Sequence, residues 1–145
     1  IWQRMQAAGL CSAAGIRRAD DAALRACGLS RQKIRYAREL AGSRISYRAL
    51  RQMPDAQVIA QLVEIKGIGT WTAEIYAKFA LGRADVFAAG DLALQEAARV
   101  LFDLPGRPSE REMRALAGNW SPWRSVAARI LWSYYRVIKA REGAR

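Results

Sequence analysis

The sequence predicts an all-α fold. Good helix formers, chiefly Ala, Leu, Arg and Gln, are abundant along the 145 residues, and no segment alternates convincingly between apolar and polar residues as a half-buried strand does. Apolar residues recur instead at helical spacing, and capping residues, prolines and glycines fall where helices would begin and end. With 52% hydrophobic residues the chain can bury one modest core, so one compact domain or two small lobes is expected.

Short helices are predicted in the first third of the chain. Helical sequence begins at Ile1 with no capping residue before it, so we expect an earlier part of the natural protein to be missing. A helix is predicted from Asp20 to Cys27, where Gly28 ends it. Ser30 caps the next helix, which runs to about Ala41.

Two helices joined by a glycine turn are predicted in the middle of the chain. Pro54 and Asp55 start the first helix, which places its apolar residues on one face and ends at Gly67. Thr70 caps the second helix, which reaches about Leu81. The two segments therefore form a helical hairpin.

A loop and three further helix signals follow the hairpin. After the loop at 83–91, Asp91 stands at the N-cap of a helix that continues through Leu101. Ser109 and Glu112 match a capping box for a helix to about Ala117. The last helix is predicted over residues 121–140, with Ser121 as its cap and Pro122 at its first helical position.

Composition excludes several classes of site. The chain has no histidine, and its cysteines, Cys11 and Cys27, form no CxxC motif, so the usual zinc and iron–sulfur ligand sets are excluded, as are histidine-dependent nucleophiles. We interpret both cysteines as reduced structural thiols. No apolar run is long enough to span a membrane and no signal peptide is recognisable, so an intracellular soluble protein is expected.

The charge of the chain points to a polyanionic partner. Lys and Arg number 24 against 13 acidic residues, which gives a formal charge of +11 and a pI near 10.6. Nucleic acid is the commonest polyanion that such a domain binds. The alternative is that the arginine content reflects only a GC-rich genome. Charge alone does not distinguish DNA from RNA.

The glycine turn itself can bind phosphate. Gly67 and Gly69 can direct backbone N–H groups outward without a Cβ in the way, and the helix that begins at Thr70 adds the positive end of its dipole. Such a site would hold a sugar-phosphate backbone without reading its sequence. Taken alone, the pattern is a weak signal, and a structural turn between two helices is the better interpretation of it.

Three longer motifs carry a family resemblance. Residues 64–73, EIKGIGTWTA, closely resemble the helix-hairpin-helix of the base-excision DNA glycosylase superfamily. Residues 85–95, DVFAAGDLALQ, and residues 120–127, WSPWRSVA, resemble motifs of its DNA-3-methyladenine glycosylase II branch. The resemblance implies a helix-hairpin-helix glycosylase domain over residues 1–145, with hairpin 55–81, catalytic loop 83–91 and terminal helix 121–140. It also implies truncation at the N-terminus.

The resemblance implies a catalytic carboxylate. Cleavage of an N-glycosidic bond builds positive charge on the deoxyribose, and a carboxylate beside C1′ would stabilise it and help orient water. Asp91 matches that residue. Bifunctional members of the superfamily carry a lysine where this chain has Trp71, so a monofunctional glycosylase without lyase activity is expected. Lys66 and Lys78 are the nearest alternative amines.

The resemblance also implies a pocket for the extruded base. Trp71 and Trp132 match pocket aromatics, whose electron-rich faces attract a cationic alkylated base. The function implied is excision of alkylated purines of the 3-methyladenine type from duplex DNA by base flipping. Trp120 and Trp123 are interpreted as structural.

Contacts to the DNA backbone follow from the same resemblance. Phosphate-binding amides are expected at Gly67, Gly69 and Thr72, with Lys66 adding a charge to the turn. Arg124 either reaches phosphate or fixes the last helix. No dissociable cofactor is required, but a monovalent cation, Na⁺ or K⁺, could bind three backbone carbonyls, those of Val63, Ile65 and Ile68.

The chain departs from the family in two respects. We expect the preceding helix, whose neighbouring loop supplies the side chain that fills the gap left by the flipped base, to be missing, and an N-terminal domain as well, either because the chain is a fragment or because these parts were lost. We expect the chain as it stands to bind and excise poorly. In addition, Ala88 replaces a proline common in the catalytic loop, which would loosen the loop and leave Asp91 in place.

Rival interpretations remain at this point. A non-catalytic helix-hairpin-helix module would explain the charge and the turn, but not Asp91 or the two tryptophans. A glycosylase of the same superfamily for another lesion is the second rival, and a purely structural helical bundle the third. The partner expected in the main interpretation is damaged duplex DNA. The protein would act as a monomer, without membrane contact, in the cytoplasm at the bacterial nucleoid.

Overall fold

The computed structural model describes residues 1–143. Helices are the only regular elements in this part of the chain, which confirms the all-α prediction. Residues 144 and 145, which the predicted domain includes, lie outside the described residues. Contacts divide the chain into two compact units, here called unit 1 (Ile1–Met53 with Ala60–Gly69) and unit 2 (Pro54–Ile59 with the chain from Thr70 onward).

Unit 1 contains five short helices around a small apolar core. The helices are α1 (Trp2–Ala7), α2 (Ala13–Arg18), α3 (Asp21–Ala26), α4 (Arg31–Gly42) and α5 (Tyr47–Leu50). Helix α4 packs against α2 and α3. Its buried Ile34 meets Met5, Leu10, Leu24 and Cys27, and burying these side chains provides the main stabilisation of this unit.

Side-chain caps define the helices of unit 1. The predicted cap Ser30 accepts the Lys33 N–H at 3.3 Å, and Asp20, predicted as the first residue of its helix, is instead the cap of α3 and accepts the Ala23 N–H at 2.7 Å. Helices α2 and α5 were not predicted; each begins with the same kind of bond, accepted by the side chains of Ser12 and Ser46. Both helices are very short, so neither shows a clear apolar period.

Unit 2 is built on longer helices. These are α7 (Thr70–Phe79), α8 (Leu92–Leu101), α9 (Glu110–Gly118) and α10 (Arg124–Gly143), while α6 (Asp55–Val63) begins in unit 2 and ends in unit 1. Helix α8 packs against α10 through small residues, among them Ala97, Ala98 and Ala128. Larger side chains fill the rest of the core, including Phe87, Leu94, Met113 and Leu131.

Three predicted helix boundaries in this part of the chain are wrong. Helix α6 ends at Val63 instead of Gly67, because Ile65 and Ile68 form tighter turn bonds to residues three positions earlier. Helix α7 ends at Phe79, two residues before the predicted end. Helix α10 begins at Arg124 instead of Pro122, and it extends to Gly143.

The start of α10 has a physical explanation. Its first amide groups bond to the loop that precedes α8: Arg124 N–H donates to Asp85 Oδ1 at 3.3 Å, and Ser125 N–H donates to the Ala84 carbonyl at 2.8 Å. Ser121, the predicted cap, instead donates its hydroxyl to Asp85 Oδ2 at 2.8 Å. The cap of α10 therefore comes from a segment about forty positions earlier in the chain. Over residues 1–143, no helix is both long enough and apolar enough to cross a membrane.

Candidate functional site

Asp91 occupies the N-cap of α8, as the sequence predicts. Its backbone is extended, with φ −74° and ψ 117°, and its Oδ1 accepts the N–H groups of Ala93 at 3.0 Å and Leu94 at 3.1 Å. The carboxylate therefore stands at the positive end of the helix dipole, which favours a negative charge there. The two bonds hold the Asp91 side chain against the first turn of α8.

Two tryptophans from other helices of unit 2 donate to the same carboxylate. Trp71, in the first turn of α7, donates its Nε1–H to Asp91 Oδ2 at 2.9 Å. Trp132, in α10, donates its Nε1–H to Asp91 Oδ1 at 3.1 Å. The structure thus brings together the three residues that the sequence analysis singled out. It adds the indole N–H contacts, which residue spacing alone could not reveal.

These donors make the two oxygens of Asp91 unequal. Oδ1 accepts three N–H groups, two from the backbone and one from Trp132, whereas Oδ2 accepts one, from Trp71. A carboxylate oxygen has two lone-pair directions, so Oδ2 keeps acceptor capacity for a further donor. Trp71 is 47% exposed, which leaves much of its ring open to solvent. The arrangement can hold a negative charge in a fixed direction and orient a water molecule at Oδ2.

The loop that leads to Asp91 is firmly attached. Residues 86–89 are buried, and the side chain of Gln95, itself buried, donates to the Ala89 carbonyl at 2.9 Å. Ala88 stands where the family often has proline, and it is only 2% exposed. Its carbonyl accepts the Asp91 N–H at 3.0 Å. Gln95 was not identified from the sequence, although it lies four residues after Asp91, one helical turn along α8.

Helix α10 supports the same loop from its first turn. The buried Ser125 hydroxyl donates to the Val86 carbonyl at 2.7 Å and accepts the Val86 N–H at 3.3 Å. Arg124 makes a two-pronged bond to Asp85, with Nε to Oδ1 at 2.7 Å and the second nitrogen to Oδ2 at 2.8 Å. The guanidinium and the Ser121 hydroxyl hold the pKa of Asp85 well below its usual range. Of the two roles left open for Arg124, fixing α10 is the one whose contacts the structure shows.

A buried lysine contacts one of the two tryptophans that bond to Asp91. Lys78 of α7 is 2% exposed, and its Nζ lies 4.0 Å from the centroid of a Trp132 ring. Burial lowers its pKa from 10.5 to about 8; the positive charge of Arg129 acts in the same direction and the negative charge of Asp91 opposes it. The sequence analysis treated Lys78 only as an alternative amine. The one available signal was its spacing of seven residues from Trp71, which puts both on one helical face.

The turn before α7 is built around one special glycine. Gly67 has φ +97°, and a Cβ at this position would overlap the Tyr36 ring. Gly69 has open space where a Cβ would be. Lys66 and Thr72, the other residues expected to contact DNA in this region, are both exposed. The backbone of the turn is therefore shaped by Gly67, while Gly69 leaves room for a close approach by a ligand.

Comparison with known proteins identifies a family for this chain. Residues 1–122 match the family model described as "HhH-GPD superfamily base excision DNA repair protein". The chain is 34% identical over 122 residues to DNA-3-methyladenine glycosylase 1 of Schizosaccharomyces pombe, covering 81% of this chain and 54% of that relative. It is 32% identical over 139 residues to DNA-3-methyladenine glycosylase of Saccharomyces cerevisiae, covering 73% and 47%. The chain thus spans about half the length of these relatives.

Two solved structures are similar as well. A DNA-3-methyladenine glycosidase of Bacillus halodurans matches with a TM-score of 0.78 at 34% identity, covering 92% of this chain and 65% of the other. A 3-methyladenine DNA glycosylase of Schizosaccharomyces pombe in complex with abasic DNA matches with a TM-score of 0.75 at 32% identity, covering 83% and 61%. The similarity in structure therefore extends over most of this chain.

Proposed function

Because the chain belongs to the HhH-GPD superfamily of base excision DNA repair proteins, we propose that it carries the catalytic part of a monofunctional DNA glycosylase. Its substrates are alkylated purines of the 3-methyladenine type in duplex DNA. The observation that carries this proposal is the carboxylate of Asp91, held by the indole N–H groups of Trp71 and Trp132. The names of the matched relatives support the substrate class.

The reaction assigned to this group is hydrolysis of the N-glycosidic bond. The damaged nucleotide is rotated out of the duplex and held beside the two indoles, since its C1′ cannot be reached inside the stack. The bond to C1′ breaks with its electron pair leaving on the base, and positive charge develops on the sugar. Asp91 stabilises that charge and orients a water through Oδ2. Water oxygen bonds to C1′ and releases its proton, which leaves an abasic site and the free base.

Water serves as the nucleophile in this proposal because indole cannot form an imine. Trp71 occupies the hairpin position at which bifunctional members carry a lysine, and its N–H is bonded to Asp91. We therefore expect base release without strand cleavage. Trp71 and Trp132 would also contact the extruded base through their ring faces, in addition to orienting Asp91.

Backbone contacts are proposed to position the DNA. In unit 1, phosphates would be bound by the backbone amides of Gly67 and Gly69 and attracted by the charge of Lys66. In unit 2, a phosphate would be bound by the backbone amide of Thr72, in the first turn of α7. Arg124 is kept as a further candidate, although Asp85 holds it in the present structure. The net charge of +11 supports duplex DNA as the partner, as does the abasic DNA bound to the Schizosaccharomyces pombe relative.

We propose that a monovalent cation binds in the turn after α6. The last carbonyls of a helix lack partners within that helix, which applies to Val63 at the end of α6; Ile65 and Ile68 follow in the same segment of unit 1. The Ile65 carbonyl accepts the Ile68 N–H at 2.9 Å, which leaves it a second lone pair. Bound Na⁺ or K⁺ would supply positive charge next to a phosphate. We also propose that the protein acts as a monomer in the cytoplasm, at the nucleoid.

The decisive experiment changes Asp91 to asparagine. Asparagine caps a helix as well as aspartate does, so Asp91→Asn removes the charge and keeps the cap of α8. The expected result is loss of methylpurine release from alkylated duplex DNA, with DNA binding largely retained. Asp20→Asn is the matched control, because Asp20 caps α3 by the same kind of bond. Near-normal excision by Asp91→Asn would contradict the proposed mechanism.

The same assay separates the remaining alternatives. A non-catalytic DNA-binding module would release no base in any form, while its affinity for duplex DNA would fall steeply with added salt. A glycosylase for another lesion would release a different base from a panel of damaged duplexes, still through Asp91. Affinity that does not depend on salt would remove the phosphate contacts from the proposal.

A further inference from the structure

Lys78 places an unpaired ammonium group against the face of a proposed pocket residue. Its Nζ lies 4.0 Å from the centroid of a Trp132 ring and 5.4 Å from that of Phe79, and it has no hydrogen-bond partner in the described part of the chain. A cation this close to an indole face interacts directly with its π electrons. The position is buried, so solvent screens the charge only weakly.

The groups around Lys78 leave its charge only partly balanced. Arg129, in α10, lies with its guanidinium carbon 5.6 Å from the Phe79 ring and adds a second positive charge. Asp91 is the negative group that acts on Lys78. The four N–H groups that Asp91 accepts come from other residues, and Lys78 Nζ makes no hydrogen bond to it. Burying an unpaired ammonium costs stability.

The charge of the base determines how a nearby cation affects its release. A purine methylated at N7 or N3 is cationic in DNA, and it becomes neutral when it takes the electron pair of the glycosidic bond. A neutral purine that takes the same electron pair leaves as an anion, which then binds a proton from solvent. A fixed positive charge next to Trp132 therefore opposes binding of the first kind of base and stabilises departure of the second.

We propose that Lys78 is a specificity-determining residue, which raises the activity on purines that are neutral in DNA relative to the activity on cationic alkylated purines. It acts by placing positive charge on one face of Trp132 and thereby making that indole less attractive to a cation. This inference rests on the proposed glycosylase function. It assigns Lys78 a role in selecting the substrate, distinct from that of an imine-forming nucleophile.

The test compares two duplexes that differ only in the damaged base. One contains N7-methylguanine, which is cationic, and the other contains hypoxanthine, which is neutral. Lys78→Met keeps the length of the side chain and removes its charge. We expect the ratio of kcat/KM for N7-methylguanine to that for hypoxanthine to rise on the order of tenfold, as cation–π energies suggest. Lys33→Met, which removes an exposed lysine from α4, should leave the ratio unchanged.

The ratio is informative because partial unfolding lowers both activities equally. An unchanged ratio in Lys78→Met, with both bases still released, would overturn the inference and leave the proposed function intact. If Lys78→Leu, a second uncharged variant, failed to reproduce the rise, a packing effect of methionine would replace the charge explanation. A Lys78-dependent covalent complex with DNA after borohydride reduction would also overturn it. Failure of the wild-type protein to release either base would count against the proposed function itself.

Discussion

Replacing Lys78 by methionine is expected to stabilise the protein at pH 7 and to have much less effect near pH 10.5. The pKa of Lys78 falls from 10.5 to about 8 on folding. At about 1.4 kcal/mol for each pH unit, this corresponds to about 3 kcal/mol of unfolding free energy. Methionine has a similar length and no charge to bury, so it avoids this cost.

The direction of the pH dependence follows from which state holds the proton. Below pH 8 the lysine is charged in both states, and the folded state bears the full cost of burying the ammonium. Between about pH 8 and 10.5 the folded state has lost the proton and the unfolded state still holds it, so wild-type stability rises with pH. The advantage of Lys78→Met should therefore be greatest at pH 7 and should shrink across this interval.

Urea denaturation followed by tryptophan fluorescence is a suitable assay. Four of the five tryptophans, Trp71, Trp120, Trp123 and Trp132, lie in unit 2, so the signal reports mainly on the unit that contains Lys78. Tyrosine ionisation is common to both proteins and cancels in the difference. Lys33→Met is again the matched control and should show no such trend. A difference between Lys78→Met and wild type that stayed constant from pH 7 to pH 10 would refute the reasoning.

Three further outcomes can be checked on the same scale. Gly67→Ala should destabilise the protein by more than about 2 kcal/mol, because alanine is strained at φ +97° and its Cβ would overlap Tyr36. Gly69→Ala has open space for its Cβ and should cost less than about 1 kcal/mol. Equal effects of the two variants in thermal melts would contradict this prediction. Ser125→Ala removes two bonds to the loop before α8 and should cost about 1–3 kcal/mol in urea denaturation, so a neutral result would show that those bonds contribute nothing. Asp85→Asn should lower the free energy of unfolding at pH 7. The difference from wild type should shrink as pH falls below 3.8, because the lowered pKa of Asp85 in the folded state makes its stabilisation present above that value and progressively lost below it. A difference that did not change with pH would exclude the charge as its origin.

Local sequence was sufficient to predict most helix starts. Asp91, Ser109 and Ser30 were identified correctly as caps, because each bond joins a side chain to amides only two or three positions later. The prediction of where α10 starts was wrong for the opposite reason. Its first amides bond to Ala84 and Asp85, and no local pattern signals a partner so distant in the chain.

The candidate site shows the same division between local and distant information. Asp91, Trp71 and Trp132 were selected by family resemblance, and they lie together in the structure. The bonds that hold them depend on how α7, α8 and α10 pack, and sequence periodicity carries little information about such packing. Lys78 is the clearest example: a lysine on a helix is usually solvated, and only the position of Trp132 shows that this one is covered.

The capping bonds of Asp91 have a consequence for how the proposed activity would be lost. The same oxygen that begins α8 belongs to the proposed catalytic carboxylate, so the first turn of the helix and the catalytic geometry form one structural element. Any change that frays this turn, by heat, denaturant or substitution of Leu92 or Ala93, would release the carboxylate before the core of unit 2 opens. Inactivation should accordingly precede global unfolding, and amide exchange at Ala93 and Leu94 should report the fraction of molecules ready to react.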